Sequence, residues 1–387
     1  MIQMTTAYTT EIDEPEKGID EILEQLNLKS LKKHSAGVLA CHFDFIDEGF
    51  VAELSKRLPF DFIGMTTIAN ATAQGHSMYG LSMAVLTSDE VSFSTVLTEP
   101  LGSADYGEKI AGAWASARGQ LPGDPSLLMT IIPYLKYLSG SIMLESLDDV
   151  CGGIPIWGGA ATSVDVGDTQ CCVVRNGVAS PAGLAMLLLQ GSVNPEFVFT
   201  AIPRQKIRES VGVITESDGC LLKKINNQPA WKYLENIGIN LVKQSSTSMP
   251  FMVYYEGNAE PVSLGVYTIN EDGSLLCGGP MPEGARITTG EITVEGIIST
   301  GEESVRRILQ SNRHGGAFLF PCVTRYVMLA PNQGDEMKLV AKMTGGSGEN
   351  KVPHLMSYCG GEICPVRDEN GKLHNRMHNY SFSACVF

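Results

Sequence analysis

The sequence predicts an α+β or mixed α/β fold: largely antiparallel or mixed sheets, stacked and flanked by helices, in two domains. Three observations lead there. Short runs of apolar and β-branched residues are separated by Gly, Asn and Asp turn signals. Only a few segments show the 3.6-residue apolar period of an amphipathic helix. Several strands, such as Phe318 to Val323, are apolar at consecutive positions and need cover on both faces. With 387 residues the chain is long enough for two domains, expected at 1–202 and 203–387.

The first expected element is a helix over 13–26. Asp13 can cap it, Pro15 suits its first turn, and Ile19, Ile22, Leu23 and Leu26 share a face. A strand at Ala36 to His42, a helix from Asp47 to Leu58 and a strand at Asp61 to Met65 continue a β-α-β rhythm. Gly80 to Leu86 and Val91 to Leu97 read as a hairpin joined by Thr87-Ser-Asp-Glu90. A helix is expected over 105–118 and another over 141–150, with Leu127 to Ile132 left open between strand and helix because the run is short. Ile154 to Ala160 is an apolar run bracketed by glycine pairs. Asn176-Gly177 joins Gln170–Arg175 to Val178–Gln190 as a tight hairpin.

Past Pro203 the pattern repeats. A hairpin spans Val211 to Leu222, and a helix runs from Ala230 to Ile237. Strands follow at Phe251 to Tyr255, Val262 to Ile269 and Ser274 to Cys277, the last two turned by Glu271-Asp-Gly273. A helix from Glu302 to Ser311 precedes three apolar strands with polar ends. Arg325 closes the first, Glu362 follows two glycines in the second, and His378-Asn379 opens the third. Thr344 to Asn350 reads as a flexible glycine-rich loop.

Composition excludes several classes. A formal net charge of −15, with 28 basic against 43 acidic residues, argues against nucleic acid and anionic membranes. No apolar run reaches membrane-spanning length, so no membrane insertion is expected. Met1-Ile-Gln-Met-Thr-Thr lacks the basic and apolar regions of a signal peptide, so the expectation is a cytoplasmic protein. In that compartment the ten cysteines read as small buried hydrophobes rather than disulfides.

Buried polar groups need partners, so Arg325, Glu362, His378 and Asn379 are the residues to explain. Glu362 is the natural partner for Arg325, giving an internal pair that pins strand order. The functional alternative is that one or both face a ligand carboxylate or amine, since the arginine fork suits carboxylates. His378-Asn379 reads as turn hydrogen bonding or as part of a pocket.

Other chemistries fit less well. His354, Cys359, Cys364, His374 and His378 lie close in sequence but lack zinc-knuckle spacing, so no metal is expected. The glycine-rich 345–351 segment lacks the Gly-Lys-Ser/Thr of a P-loop. Cys322 has apolar neighbours and reads as a neutral buried thiol, and no catalytic signature stands out.

The ordered motifs match a known pattern. Phe62 to Thr67, Ile156-Trp-Gly-Gly-Ala160 and Val174 to Val178 come first. Asn227 to Tyr233, Asp272-Gly-Ser274, Pro282-Glu-Gly284, Ala317 to Arg325, Gly361-Glu362 and His378-Asn379 follow in order. The chain resembles the FIST sensory proteins, with an N-terminal and a C-terminal FIST domain, over nearly its whole length. It departs at Pro321, where a small residue is usual, at Cys364, and over 344–358, which is longer and more polar. The resemblance implies a cytoplasmic sensor of a small ligand, with amino acids or other small carboxylates as the class. Candidate ligand-binding residues are Arg325, Glu362, His378, Asn379 and Cys322. It implies partners such as a histidine kinase, a diguanylate cyclase or a chemoreceptor, and a signal passed to a separate chain. No cofactor is expected. The alternatives are a haem-binding nitric-oxide sensor, and an enzyme using Cys322 or a carboxylate.

Overall fold

The computed structural model describes residues 2–163, 170–239, 249–257, 260–345 and 351–387. The larger part is built from three six-stranded sheets. The first runs, in spatial order, Gln3–Thr9, Leu81–Ser88, His34–Cys41, Phe62–Thr66, Val173–Arg175, Val178–Ser180. The second runs Leu373–His378, Glu362–Arg367, Ile156–Ala160, Pro125–Ile132, Ala185–Gln190, Ser92–Leu97. The third runs Glu196–Thr200, Phe382–Val386, Ala317–Pro321, His354–Ser357, Asn70–Thr72, His76–Ser77. Most pairings are antiparallel, with parallel ones at 34–41 beside 62–66, 125–132 beside 156–160, and 317–321 beside 354–357. The expected mixture of sheets is therefore present.

The core explains the double-sided apolar strands. Val38, Ile63 and Met65 of the first sheet, and Phe318 and Phe320 of the third, pack against Leu127, Met129, Trp157 and Leu187 of the second. The Trp157 and Phe320 rings lie 4.3 Å apart. The opposite faces are covered by helices. Pro15–Leu26 and Phe50–Arg57 sit on the first sheet, Tyr106–Arg118 and Gly140–Cys151 on the second, and Val294–Gln310 and Asp335–Thr344 on the third. Each fully buried Phe or Leu in such a sandwich contributes roughly 1.5–3 kcal/mol. An eight-stranded antiparallel sheet with helix Ala230–Asn236 forms a separate core from residues 212–289. The second and third sheets each draw strands from both sides of residue 203.

Local chemistry sets many boundaries. Ser139 caps the helix over 140–151 by accepting from Ile142 N–H, and Gly152 at φ +66° ends it. Thr293 caps the helix over 294–310, which begins eight residues before the sequence expectation. Asn176 takes φ +49° in the expected tight turn, and its Oδ1 also accepts from Phe62 N–H at 2.9 Å. The open run at 127–132 is a strand.

Two expectations are corrected. Leu81–Ser88 and Ser92–Leu97 do not form a hairpin. The first is paired on both edges, by Gln3–Thr9 and His34–Cys41, so the chain crosses to the second sheet instead. The strand Gln3–Thr9 had no expectation at all. Arg325 does not close a strand: the strand stops at Pro321, and Val323–Met328 is a short helix. The glycine-rich loop at 344–350 lies mostly outside the described residues. Among the described residues no helix is long and apolar enough to cross a membrane, and each of the ten cysteines is a free thiol.

Candidate functional site

The site grows from Gly360-Gly361-Glu362. A Cβ on Gly361, at φ +156°, would meet Met377 Cε at 2.4 Å, and one on Gly159 would meet Cys359 Sγ at 2.9 Å and Gly361 O at 3.1 Å, so a side chain at either position would push its neighbours aside. This close packing seats Glu362 between Gly159 on one side and His378 on the other, in the interior of the second sheet. Glu362 is fully buried. Its Oε2 accepts from Ser381 Oγ at 2.6 Å and Ser381 N–H at 3.2 Å, and the Cys359 thiol lies 3.5 Å from Oε1. No cation is placed against it among the described residues. Burial pushes its pKa up to about 8, against the opposing pull of the Ser381, Cys359 and Cys322 hydrogen bonds. At neutral pH it is mostly a neutral acid that can donate as well as accept.

Cys322 and Cys359 sit side by side in a parallel bridge. Burial, with the neighbouring Glu362, pushes both thiols well up. Neither is a thiolate near neutral pH.

Arg325 is elsewhere. Its partner is Glu336, not Glu362. From the short helix it reaches the Glu336 carboxylate through Nε (3.1 Å) and, in a shorter bond, through Nη2. Nη2 also donates to Ile297 O (2.8 Å), and Nη1 to Thr300 Oγ1 (3.1 Å) and Tyr380 O (3.5 Å). A guanidinium has five N–H donors, and all five are used. Tyr358 OH donates to the second Glu336 oxygen at 2.9 Å. The pair is 1% and 0% exposed, so it has no donor left for a ligand. Glu336 lies on the apolar face of its helix, with Val340 four residues on and also buried. That spacing was the available signal.

His378 ends its strand with Nε2 3.1 Å from Cys364 O, which assigns the ring proton to Nε2. Its Nδ1 is buried without a partner. Burial lowers its pKa to about 3, so the ring is neutral, and it packs tilted by 38° against Phe199, with ring centroids 4.1 Å apart.

Asn379 does turn work and more. Its N–H donates to Ser263 O, its Oδ1 accepts from Gly265 N–H at 3.0 Å, and its Nδ2 donates to Tyr267 OH at 3.2 Å. A Cβ on Gly278 would stand 2.1 Å from Asn379 Oδ1. The link between Leu373–His378 of the second sheet and Phe382–Val386 of the third is thereby tied to the edge of the eight-stranded sheet. Tyr267 is 56% exposed, yet its hydroxyl points inward; burial pushes the phenol up, and Cys322, Tyr134 and Glu362 also act on its ionisation. Tyr380, at φ +63°, feels Cys322 and Tyr267. Glu362, Cys322, Cys359, Ser381, Asn379 and Tyr267 therefore form one polar neighbourhood, with Tyr267 and Tyr134 meeting solvent. The sequence reading missed Cys359, Ser381 and Tyr267. Ser381 follows the His378-Asn379-Tyr380 turn closely enough to have been found. Tyr267 lies in a strand far away in sequence and carries no local signal. Among the described residues no group of three or more His, Cys, Asp and Glu side chains is placed to share a metal ion.

The FIST N domain model matches residues 36–228 and the FIST C domain model matches residues 231–365. FIST domains are generally regarded as small-ligand-binding sensory domains. No curated protein matches the chain. A solved cyanuric acid hydrolase is similar at 10% identity and a TM-score of 0.29, and the cyanuric acid hydrolase from A. caulinodans at 9% and 0.30. Both alignments cover 76% of this chain and 100% of the other. Likeness at those scores carries nothing about activity.

Proposed function

The chain belongs to the FIST family, and on that premise we propose that it is a cytoplasmic sensor that binds a small amine-bearing ligand at Glu362. An amino acid fits best. The supporting observation is the buried acid without a cation. A ligand ammonium would supply the missing charge, convert Glu362 to a carboxylate and release its proton. Charge-assisted hydrogen bonds of this kind are about twice as strong as neutral ones. The ligand carboxylate would find donors in Asn379 Nδ2 and the Tyr267 and Tyr134 hydroxyls. Arg325, sealed against Glu336, stays out of the site.

A ligand can signal only by favouring one conformation over another. The Asn379–Tyr267 tie between the 379–381 link and the eight-stranded sheet is the contact such a ligand would displace or tighten. The signal would pass to a separate partner chain, of the histidine kinase, diguanylate cyclase or chemoreceptor class.

A thermal-shift panel of amino acids, primary amines and simple carboxylates tests this. A ligand at a hundred times its Kd stabilises by about 2.7 kcal/mol. Amino acids should raise the melting temperature, and Glu362→Gln should abolish the rise. Absence of any shift at millimolar concentrations across the panel sinks the reading.

A further inference from the structure

A second, unassigned cleft lies at the open edge between the second and third sheets. Its volume is about 490 Å³, within the usual range for small-molecule sites. Strand Glu196–Thr200 is the edge of the third sheet, and Phe197 and Phe199 stand on one face of it, either side of buried Val198. Both rings are only half-buried and line the cleft. Pro365 and Val366 also line it.

The charged groups on this cleft come from separate elements. Arg307 lies in the last turn of helix Val294–Gln310, Arg313 just beyond it, and Arg367 at the end of strand Glu362–Arg367. Facing them are two carboxylates. Glu196 is already occupied by the Ser311 hydroxyl at 2.6 Å, and Glu260 is exposed. Among the described residues Arg307 holds an exposed ion pair with Glu303 on its own helix, a kind of contact that is weak and readily exchanged. Arg367 spends one N–H group on Gly371 O at 2.9 Å. Among the described residues Arg313 is bonded only through its backbone N–H, to Ser311 Oγ. On a protein of net charge −15, this cleft gathers three guanidinium groups, balanced by Glu196, Glu260 and the Glu303 that pairs with Arg307.

We propose that this cleft binds a small aromatic oxyanion, its flat ring against Phe197 and Phe199 and its carboxylate or phosphate held by Arg313, Arg367 and Arg307. Guanidinium forks recognise both kinds of oxyanion in bidentate fashion, and offset stacking on phenylalanine favours a planar ring. The site is distinct from the Glu362 cluster and does not rest on the sensor reading.

The test is isothermal titration of the full chain with benzoate and with phenyl phosphate, and with benzyl alcohol as the neutral probe. Saturable binding of at least one anion is expected, with none of the alcohol, and the preferred anion shows whether the natural ligand carries a carboxylate or a phosphate. Arg313→Gln and Arg367→Gln should each weaken binding by about tenfold or more, the size of a lost charge-assisted bond, with unchanged melting. Arg57→Gln and Glu362→Gln should leave it intact. Added salt should weaken it. No saturable binding of either anion, or binding indifferent to both cleft arginines, or binding lost in Glu362→Gln, overturns the proposal. Amino-acid binding at Glu362 should survive Arg313→Gln, so the two sites fail separately.

Discussion

Glu336 and Glu362 are both fully buried acids, and they have been solved in opposite ways. Glu336 receives a guanidinium and a tyrosine hydroxyl. Glu362 receives a serine, a backbone N–H and thiols, with burial raising its pKa to about 8. The first arrangement is complete: every donor of Arg325 is spent on the protein. The second is balanced only while the acid keeps its proton. A buried ion pair is weak evidence for net stability, yet breaking one is costly, because the surviving charge stays behind. A buried lone acid has a different weakness, which is exposure to pH.

The largest effect should come from breaking the complete arrangement. Arg325→Leu strands Glu336 and should cost about 3–5 kcal/mol in urea denaturation. Adding Glu336→Leu should recover much of that loss. If the single variant costs under about 1 kcal/mol, the pair is not the pin that its geometry suggests.

Next comes Glu362→Gln, which mimics the protonated acid. In the folded protein Glu362 ionises near 8, above its ordinary value of 4.5. Between those values the unfolded chain releases a proton that the folded chain retains, so the group's stabilising contribution is full below pH 4.5 and is lost as pH rises through 8. At about 1.4 kcal/mol per pKa unit, the wild type should fall relative to Glu362→Gln by a few kcal/mol on the way to pH 8.5. Parallel stability profiles for the two proteins across that range would remove the distinction drawn between the two acids.

Smaller effects sharpen it. Asn379→Ala leaves Gly265 N–H without its partner and should cost about 1–2 kcal/mol, with faster amide exchange at Gly265. Ser381→Ala removes the 2.6 Å bond to Glu362. It should cost about 1 kcal/mol at pH 6 and more at pH 8.5, where the carboxylate carries its charge. An equal cost at both values would mean that Glu362 does not titrate there.

Layers and helices were largely legible in the sequence, because apolar period and turn residues are local signals. The amphipathic face at 15–26, a helix over 141–150 and the Asn176-Gly177 turn read directly, and the double-sided strand read over 318–323 ends at Pro321. Pairing was not legible where it depends on vacancy. Nothing in Thr87-Ser-Asp-Glu90 says that Leu81–Ser88 is already paired on both edges. Arg325 was misplaced because apolar residues continue beyond Pro321, hiding the change from strand to helix. Its pairing with Glu336 was missed because Glu362, after two glycines, looked like the more pointed candidate. Of the site itself, Glu362, Cys322 and Asn379 lie together as residue types in the last strands suggested. His378 is beside them on the backbone but turns its ring to Phe199 and Cys364. Tyr267 enters through tertiary packing alone.

The position of the strand Phe382–Val386 bears on how the molecule is made. It lies between Glu196–Thr200 and Ala317–Pro321 and bonds to both, while Glu362–Arg367 completes the second sheet beside Ile156–Ala160. During synthesis the ribosome delivers the earlier strands first, so the second and third sheets must wait with bare edges for neighbours not yet translated. Such long-range closure slows folding and leaves aggregation-prone edges uncovered meanwhile. The nascent chain should therefore gain protease resistance late and in one step, and depend on chaperone shelter until Phe382–Val386 has left the exit tunnel.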